Sequence, residues 1–220
     1  RRMDEIRPLY HSFIEKAADF LVSYRDEQTG LPLPSYDLWE ERRGILSFTT
    51  ATVYGGLMAA ANISDIFYHT EKSTLYRKTA AQIKKAIDQY LYSEKHKRFL
   101  RMIYPKKDVG YEIDATIDAR LYGMFVVGVY EPADIKIQNT MKAIEESLWV
   151  KTNIGGIARY EHDQYQRVGN DDAIPGNPWI ICTMWLAQYY VSTAKSVEDL
   201  ERVVNYLRWT VSRALPSGVL

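Results

Sequence analysis

The sequence predicts an all-α chain folded as an α/α toroid, two concentric layers of helices with one decorated face. Three observations carry this. Seven segments place apolar residues at helical spacing. Helices that are apolar on most sides alternate with amphipathic ones. The connections alternate too, long before each apolar helix and short before each amphipathic one.

The first helix is expected over residues 10–24, with Phe13, Ala17, Phe20, Leu21 and Tyr24 on its core face. Residues 48–63 ("FTTATVYGGLMAAANI") are small and apolar nearly throughout, the composition of a buried helix. Residues 74–91 are amphipathic, with Leu75, Thr79, Ile83, Ala86, Ile87 and Tyr90 in register. Residues 115–129 again read as an apolar helix, and 135–148 as an amphipathic one. Residues 178–190 form a third apolar helix, with Pro178 in a favourable first-turn position. Residues 197–214 close the series, with Val197, Leu200, Val203, Val204 and Leu207 in register. Ser196 and Asp199 mark that helix's capped start.

The long connections are residues 25–47, 92–114 and 149–177, well beyond the usual helix–helix link of about 2 to 8 residues. In an up–down array they share one end, the N-terminal ends of the inner helices, where a site is built. A stacked helical-repeat scaffold fits less well, because its loops are short and alike. All three long loops mix aromatics, carboxylates and arginine, and "KRFLRMIY" in the second has strand character. Sugars stack their apolar faces on aromatic rings and offer hydroxyls to charged groups, so a glycan site needs this mixture. A carboxylic acid against an aromatic wall can also gain the raised pKa of a general acid.

Composition narrows the function. Twenty-eight basic residues balance twenty-eight acidic ones, which argues against nucleic acid or an anionic membrane as partner. No apolar run reaches the roughly 20 residues of a membrane span. The single cysteine, Cys182, lies in "WIICTMWLA" and reads as a buried free thiol. No cofactor is expected. His96 and His162 lack metal-ligand spacing, Gly155–Gly156 lacks the lysine of a phosphate loop, and no nucleophile triad is visible. Each site feature also has a plain structural reading. Acids before a helix suit its dipole, "ARY" can hold an ordinary ion pair, and "GNPW" can be a turn.

Taken together, "PSYDLWEER", "GGIARYEHDQY" and "GNPWIICTMWLAQYY" resemble the glucoamylase-type glycoside hydrolases of family fifteen, the bacterial and archaeal branch above all, over residues 31–220. The resemblance implies an (α/α)6 barrel, of which this chain supplies about seven of twelve helices. It implies inverting release of glucose from the non-reducing ends of α-glucans, with an α-glucan or α-glucoside as the partner. It makes Glu40 the general acid and Glu41 a contact to the leaving-group sugar. Tyr36, Asp37, Leu38 and Trp39 line or support the site, Arg159 binds substrate hydroxyls, Trp179 walls the leaving-group subsite, and Asp163 and Tyr165 line the same loop.

Two departures qualify this. The family's upstream arginine–aspartate clamp has no match, since Arg25 and Asp26 of "SYRDEQTG" sit at a helix end and read as structural. The general base is expected just past "LPSGVL". Residues 1–220 are therefore expected to be part of a catalytic domain cut at both ends, inactive alone and completed by the remaining segments of the same barrel. Within the family, α,α-trehalase and glucodextranase are alternatives. Outside it, the alternative is a non-catalytic glycan-binding toroid, which would not need Glu40 as an acid.

Overall fold

The computed structural model describes residues 3–106, 110–169 and 173–220; residues 107–109 of the second long loop and 170–172 of the third lie outside the described residues. The chain divides into two compact units. One comprises Arg1–Tyr92, Met102–Asp114 and Val127–Val129; the other comprises Ser93–Arg101, Ala115–Val126 and Tyr130–Leu220.

The first stretch of chain is helical from α1 (Met3–Leu9) through a π-helical turn (Tyr10–Ile14) to α2 (Glu15–Ser23). Pro8 lies inside α1 and provides no amide hydrogen, and the wide turn follows directly behind it. This shifts the buried face from the one expected. Tyr10 and Ala18 are buried, whereas Phe13 is 67% exposed and Phe20 56%. The Tyr10 hydroxyl lies 2.8 Å from Ser64 Oγ, and Tyr76 donates 2.9 Å to Asp19.

The chain continues through β1 (Ser35–Tyr36) and β2 (Arg43–Leu46) into α3 (Ser47–Ile66), then α4 (Thr70–Ala86) and a π turn (Ile87–Leu91). α3 buries Ala51, Val53, Leu57, Ala60 and Ala61 and packs along α4. α4 buries Tyr76, Thr79, Ala80, Ile83 and Ala86; Leu75 falls outside that face, because Tyr76 takes the core position beside it.

Next come β3 (Tyr92–Ser93), β4 (Arg98–Phe99), β5 (Met102–Lys106) and β6 (Gly110–Asp114). In the first unit the four strands run in the order β1-β2-β5-β6, all pairs antiparallel, with Ile45 opposite Ile103 and Leu46 opposite Met102. The first two long loops are therefore woven into one sheet.

The helix expected over 115–129 is mostly not one. Only a 3-10 turn (Ala119–Tyr122) and α5 (Gly123–Val126) are helical. Asp118 stops the helix from starting earlier, since its carboxylate accepts the Arg120 amide at 2.9 Å as a cap. Gly128, at φ +80°, follows its end. The residues before the cap are extended against the third loop. Ala119 N–H donates to Arg159 O (2.8 Å) and Glu161 N–H to Ile117 O (3.1 Å).

The second unit continues with α6 (Ile135–Leu148), β7 (Ile157–Ala158), β8 (Pro178–Trp179), α7 (Ile180–Thr193), a 3-10 turn (Glu198–Leu200) and α8 (Glu201–Val211). Pro178 is thus in a strand, not a first helical turn, because Ala158 and Ile157 pair with Pro178 and Trp179. The capped start of the last helix is present as a reciprocal box: Ser196 N–H donates to Asp199 Oδ2 (3.1 Å) and Asp199 N–H to Ser196 Oγ (3.4 Å). α8 buries Val203, Tyr206 and Thr210, while Val197, Val204 and Leu207 are exposed. The Tyr206 hydroxyl donates 2.8 Å to Glu145, which also accepts from Tyr190 at 2.5 Å, and this polar pin selects the tyrosine face. Cys182 is buried in α7 without a disulfide.

Candidate active site

In the first unit, "YDLWEE" forms the tip of the β1–β2 hairpin, and β2 runs directly into the N-terminus of α3. Asp37 organises the tip. Its amide donates to Arg42 O (2.8 Å), its carbonyl accepts from Glu40 N–H (3.0 Å), and its carboxylate accepts from Glu41 N–H (2.9 Å). Asp37 is buried and Trp39 half-buried, while Tyr36, Leu38, Glu40 and Glu41 are exposed. The strand's in–out alternation thus carries on into the tip. Glu40 has φ +58°, a left-handed conformation uncommon for residues with a side chain, which Tyr68, Lys97, His162 and Gln166 also adopt.

In the second unit, "GGIARYEHDQY" and "GNPW" meet as the β7–β8 pair, and β8 runs directly into α7. The Thr183 hydroxyl of α7 accepts from Ile157 N–H and donates to Trp179 O, both at 3.0 Å, and so ties both strands to the helix. Arg159 is 3% exposed and Asp163 0%. They form a two-pronged pair, Nε to Oδ2 and Nη2 to Oδ1, both 2.7 Å. Tyr165 N–H adds a third bond to Asp163 at 2.9 Å.

Aromatic rings surround the guanidinium, with centroids 4.7 Å (Tyr165), 5.2 Å (Trp179) and 5.2 Å (Tyr160) away. Asn177 donates its side-chain amide to the carbonyls of Tyr165 and Gln166. At Gly176 a Cβ would sit 2.7 Å from Asp163 Cβ, so only glycine lets the loop close there. An open cleft of about 720 Å³ runs along Tyr165, Trp179, Ile180, Ile181 and Met184.

The sequence-predicted residues therefore fall into two groups. Tyr36, Asp37, Leu38, Trp39, Glu40 and Glu41 share one hairpin; Arg159, Asp163, Tyr165 and Trp179 share one loop. Among them Asp163 is wholly engaged inside the protein, and Asp37 spends its carboxylate on backbone amides. Both hold other groups in place. Sequence reasoning missed Thr183 and Asp118, since a threonine in an apolar helix and an aspartate in an extended stretch give no periodic signal. Arg25 and Asp26 tie a turn, with Asp26 accepting from Thr29 and Arg25 donating to Gln82.

The family model described as "Glycosyl hydrolases family 15" matches residues 4–212. The chain belongs to that family. A protein of Methanocaldococcus jannaschii named as an uncharacterized glycosyl hydrolase is 34% identical over 191 residues, 86% of this chain and 28% of its own length. A glucoamylase of Clostridium sp. is 25% identical over 209 residues, 85% of this chain and 29% of its own. This family 15 chain thus spans under a third of the curated relatives it matches. The crystal structure of a bacterial glucoamylase complexed with acarbose superposes with a TM-score of 0.77 at 22% identity, covering 97% of this chain and 33% of that one. The fold is accordingly that of part of the glucoamylases' (α/α)6 barrel, and among the described residues it comprises seven contiguous helical segments. The chain is a segment of a family 15 protein and is similar to part of the glucoamylases.

Proposed function

We propose that the protein containing this chain is an exo-acting α-glucosidic hydrolase that releases glucose from non-reducing ends with inversion. The observation that carries the proposal is the hairpin tip, where buried Asp37 fixes the backbone of "WEE" and leaves Glu40 exposed in a left-handed conformation. Backbone strain of this kind clusters at functional sites.

Glu40 acts as general acid and protonates the glycosidic oxygen as the bond to the departing sugar breaks. A second carboxylate activates water on the opposite face, about 6.5 to 9.5 Å away. Glu41, Tyr36, Leu38 and Trp39 contact or frame the substrate. Arg159, held by Asp163, donates to substrate hydroxyls. Trp179 and Tyr165 supply the ring faces on which a pyranose stacks. The substrate is an α-glucan or short α-glucoside, and residues 1–220 form part of the catalytic domain.

The test is a panel of maltose, maltotriose, isomaltose and trehalose on the full-length protein, with proton NMR of the first product. β-Glucose appearing before mutarotation supports the proposal. Preference for trehalose or isomaltose moves the protein to the trehalase or glucodextranase activity of the same family, and α-glucose as first product overturns inversion. Release of no glucose from any of the four removes the hydrolase reading and leaves a glycan-binding role.

A further inference from the structure

The segment carrying Arg159 and Trp179 is gripped by α8, an element with no site motif. Gly155 and Gly156 both have left-handed backbones, φ +66° and +86°. A Cβ on Gly156 would lie 2.3 Å from Trp209 Cζ2, 2.7 Å from its Cη2 and 2.8 Å from Pro178 Cβ. The indole therefore occupies the space a side chain would need, and Trp209 and Pro178 close on one point of the turn. At Gly155 a Cβ would meet Trp149 at 3.1 Å and Trp209 Nε1 at 3.4 Å.

The indole is fixed in turn. Its Nε1–H donates to Ile154 O at 2.7 Å, Arg213 Nη2 donates to the same carbonyl at 2.5 Å, and the Arg213 guanidinium lies 5.0 Å from the indole centroid. β7 starts at the residue after Gly156, and Arg159 follows directly; β8 consists of Pro178 and Trp179. Thr183 ties the two strands to α7. Trp209 is the corresponding stop from α8.

The geometry points to Trp209 as a positioning residue, which sets the placement of Arg159 and Trp179 for substrate through the Gly155–Gly156 turn and Pro178. This rests on the substrate-binding roles proposed above for those two residues. The glycine pair in "NIGGIARY" thereby gains a reason other than turn formation: it is the seat of an indole. The acid's hairpin is built from other elements, β1 and β2. Disturbing Trp209 should therefore act on binding and spare the proton transfer.

The experiment uses the full-length protein, Trp209→Leu, Trp209→Phe and Arg159→Lys, with Michaelis parameters on maltotriose well below each Tm, and Tm measured alongside. Trp209→Leu, which empties the seat, is expected to raise KM about 10-fold with kcat within about twofold, the pattern of lost uniform binding. Trp209→Phe keeps one ring but loses the indole N–H and the second ring that brings Cζ2 and Cη2 to Gly156, so it fills the seat only in part and KM rises about two- to fourfold. A lowered Tm with unchanged KM, or a lowered kcat at unchanged KM, overturns the proposal, since a purely structural residue gives the first and a role in the chemistry the second. Should Trp209→Leu fail to fold, Trp209→Phe decides alone, and a wild-type KM overturns the proposal. Arg159→Lys separates the two layers. If it raises KM while the Trp209 variants do not, only the positioning role falls. If it leaves KM unchanged, the substrate role of Arg159 falls, and the positioning role with it.

Discussion

At the tip of the β1–β2 hairpin the acidic side chains stand outside and the backbone is what is fixed; around Arg159 the charged side chains are inside and fix one another. Asp37 spends its carboxylate on main-chain amides, so the backbones of Glu40 and Glu41 are held while both residues stay exposed. Arg159 instead has its guanidinium clamped by Asp163 and bordered by three rings. In the role proposed for Glu40, an acid that gives up a proton needs an aimed, accessible side chain. In the role proposed for Arg159, a cation that binds a neutral sugar needs a rigid donor whose charge is already balanced. The first arrangement stores strain locally, and the second spends buried ion pairing, which is costly to break from one side.

The sharpest way to break this comparison is Glu40→Gln in the full-length protein. The expected drop in kcat is about 10³- to 10⁴-fold, with Tm nearly unchanged because an exposed carboxylate supports little of the fold. A wild-type rate on the same substrates would end the acid assignment and favour the non-catalytic toroid. Asp163→Ala tests the other region. It removes the Asp163 carboxylate from the buried Arg159 guanidinium, and urea denaturation should show a loss of about 3–5 kcal/mol. A loss below about 1 kcal/mol would mean the pair is solvated and the contrast between the regions is false.

The strain at the tip is tested by comparing two Glu40 variants. Glu40→Gly should exceed Glu40→Ala in stability by about 1 kcal/mol, since only glycine accepts φ +58° freely. Equal stabilities would show an unstrained tip. Away from both regions, Ser196→Ala removes one arm of the α8 capping box and should lower stability by about 1 kcal/mol, with KM unchanged unless α8 itself shifts.

The smallest effect concerns Cys182. Burial, and then the charge of Asp118, push its thiol above the ordinary range, so it remains protonated. A thiol reagent at pH 8 should label nothing in the native protein and one site in urea. The sign follows from linkage. A raised folded pKa gives stability that is complete below the ordinary thiol pKa near 8.5 and is lost as pH climbs above it.

The site motifs were legible because they are contiguous. "YDLWEE" places Asp37 three residues from Glu40, and "RYEHD" places Arg159 four residues from Asp163, so local chain geometry alone brings each pair together. Trp209 was not legible, because it meets Gly156 across more than fifty residues and sits in a helix whose pattern marks only an outer face. The apolar stretch 115–129 misled for a related reason. Its hydrophobicity reports burial, which an extended segment docked on Arg159 and Tyr160 satisfies as well as a helix does.

By itself, then, the sequence determined the helix-rich class, the ranges of α6 and most of α3, α4 and α7, the capping box at Ser196, and the two motif clusters. All of these rest on residues within a few positions of each other, where spacing dictates contact. Only the tertiary structure decided which face of the first helix is buried, that the first two long loops form one sheet, that residues 115–118 run extended, and that Trp209 seats the Gly155–Gly156 turn. Those outcomes depend on partners far along the chain, and periodicity specifies that a side chain is buried without specifying against what.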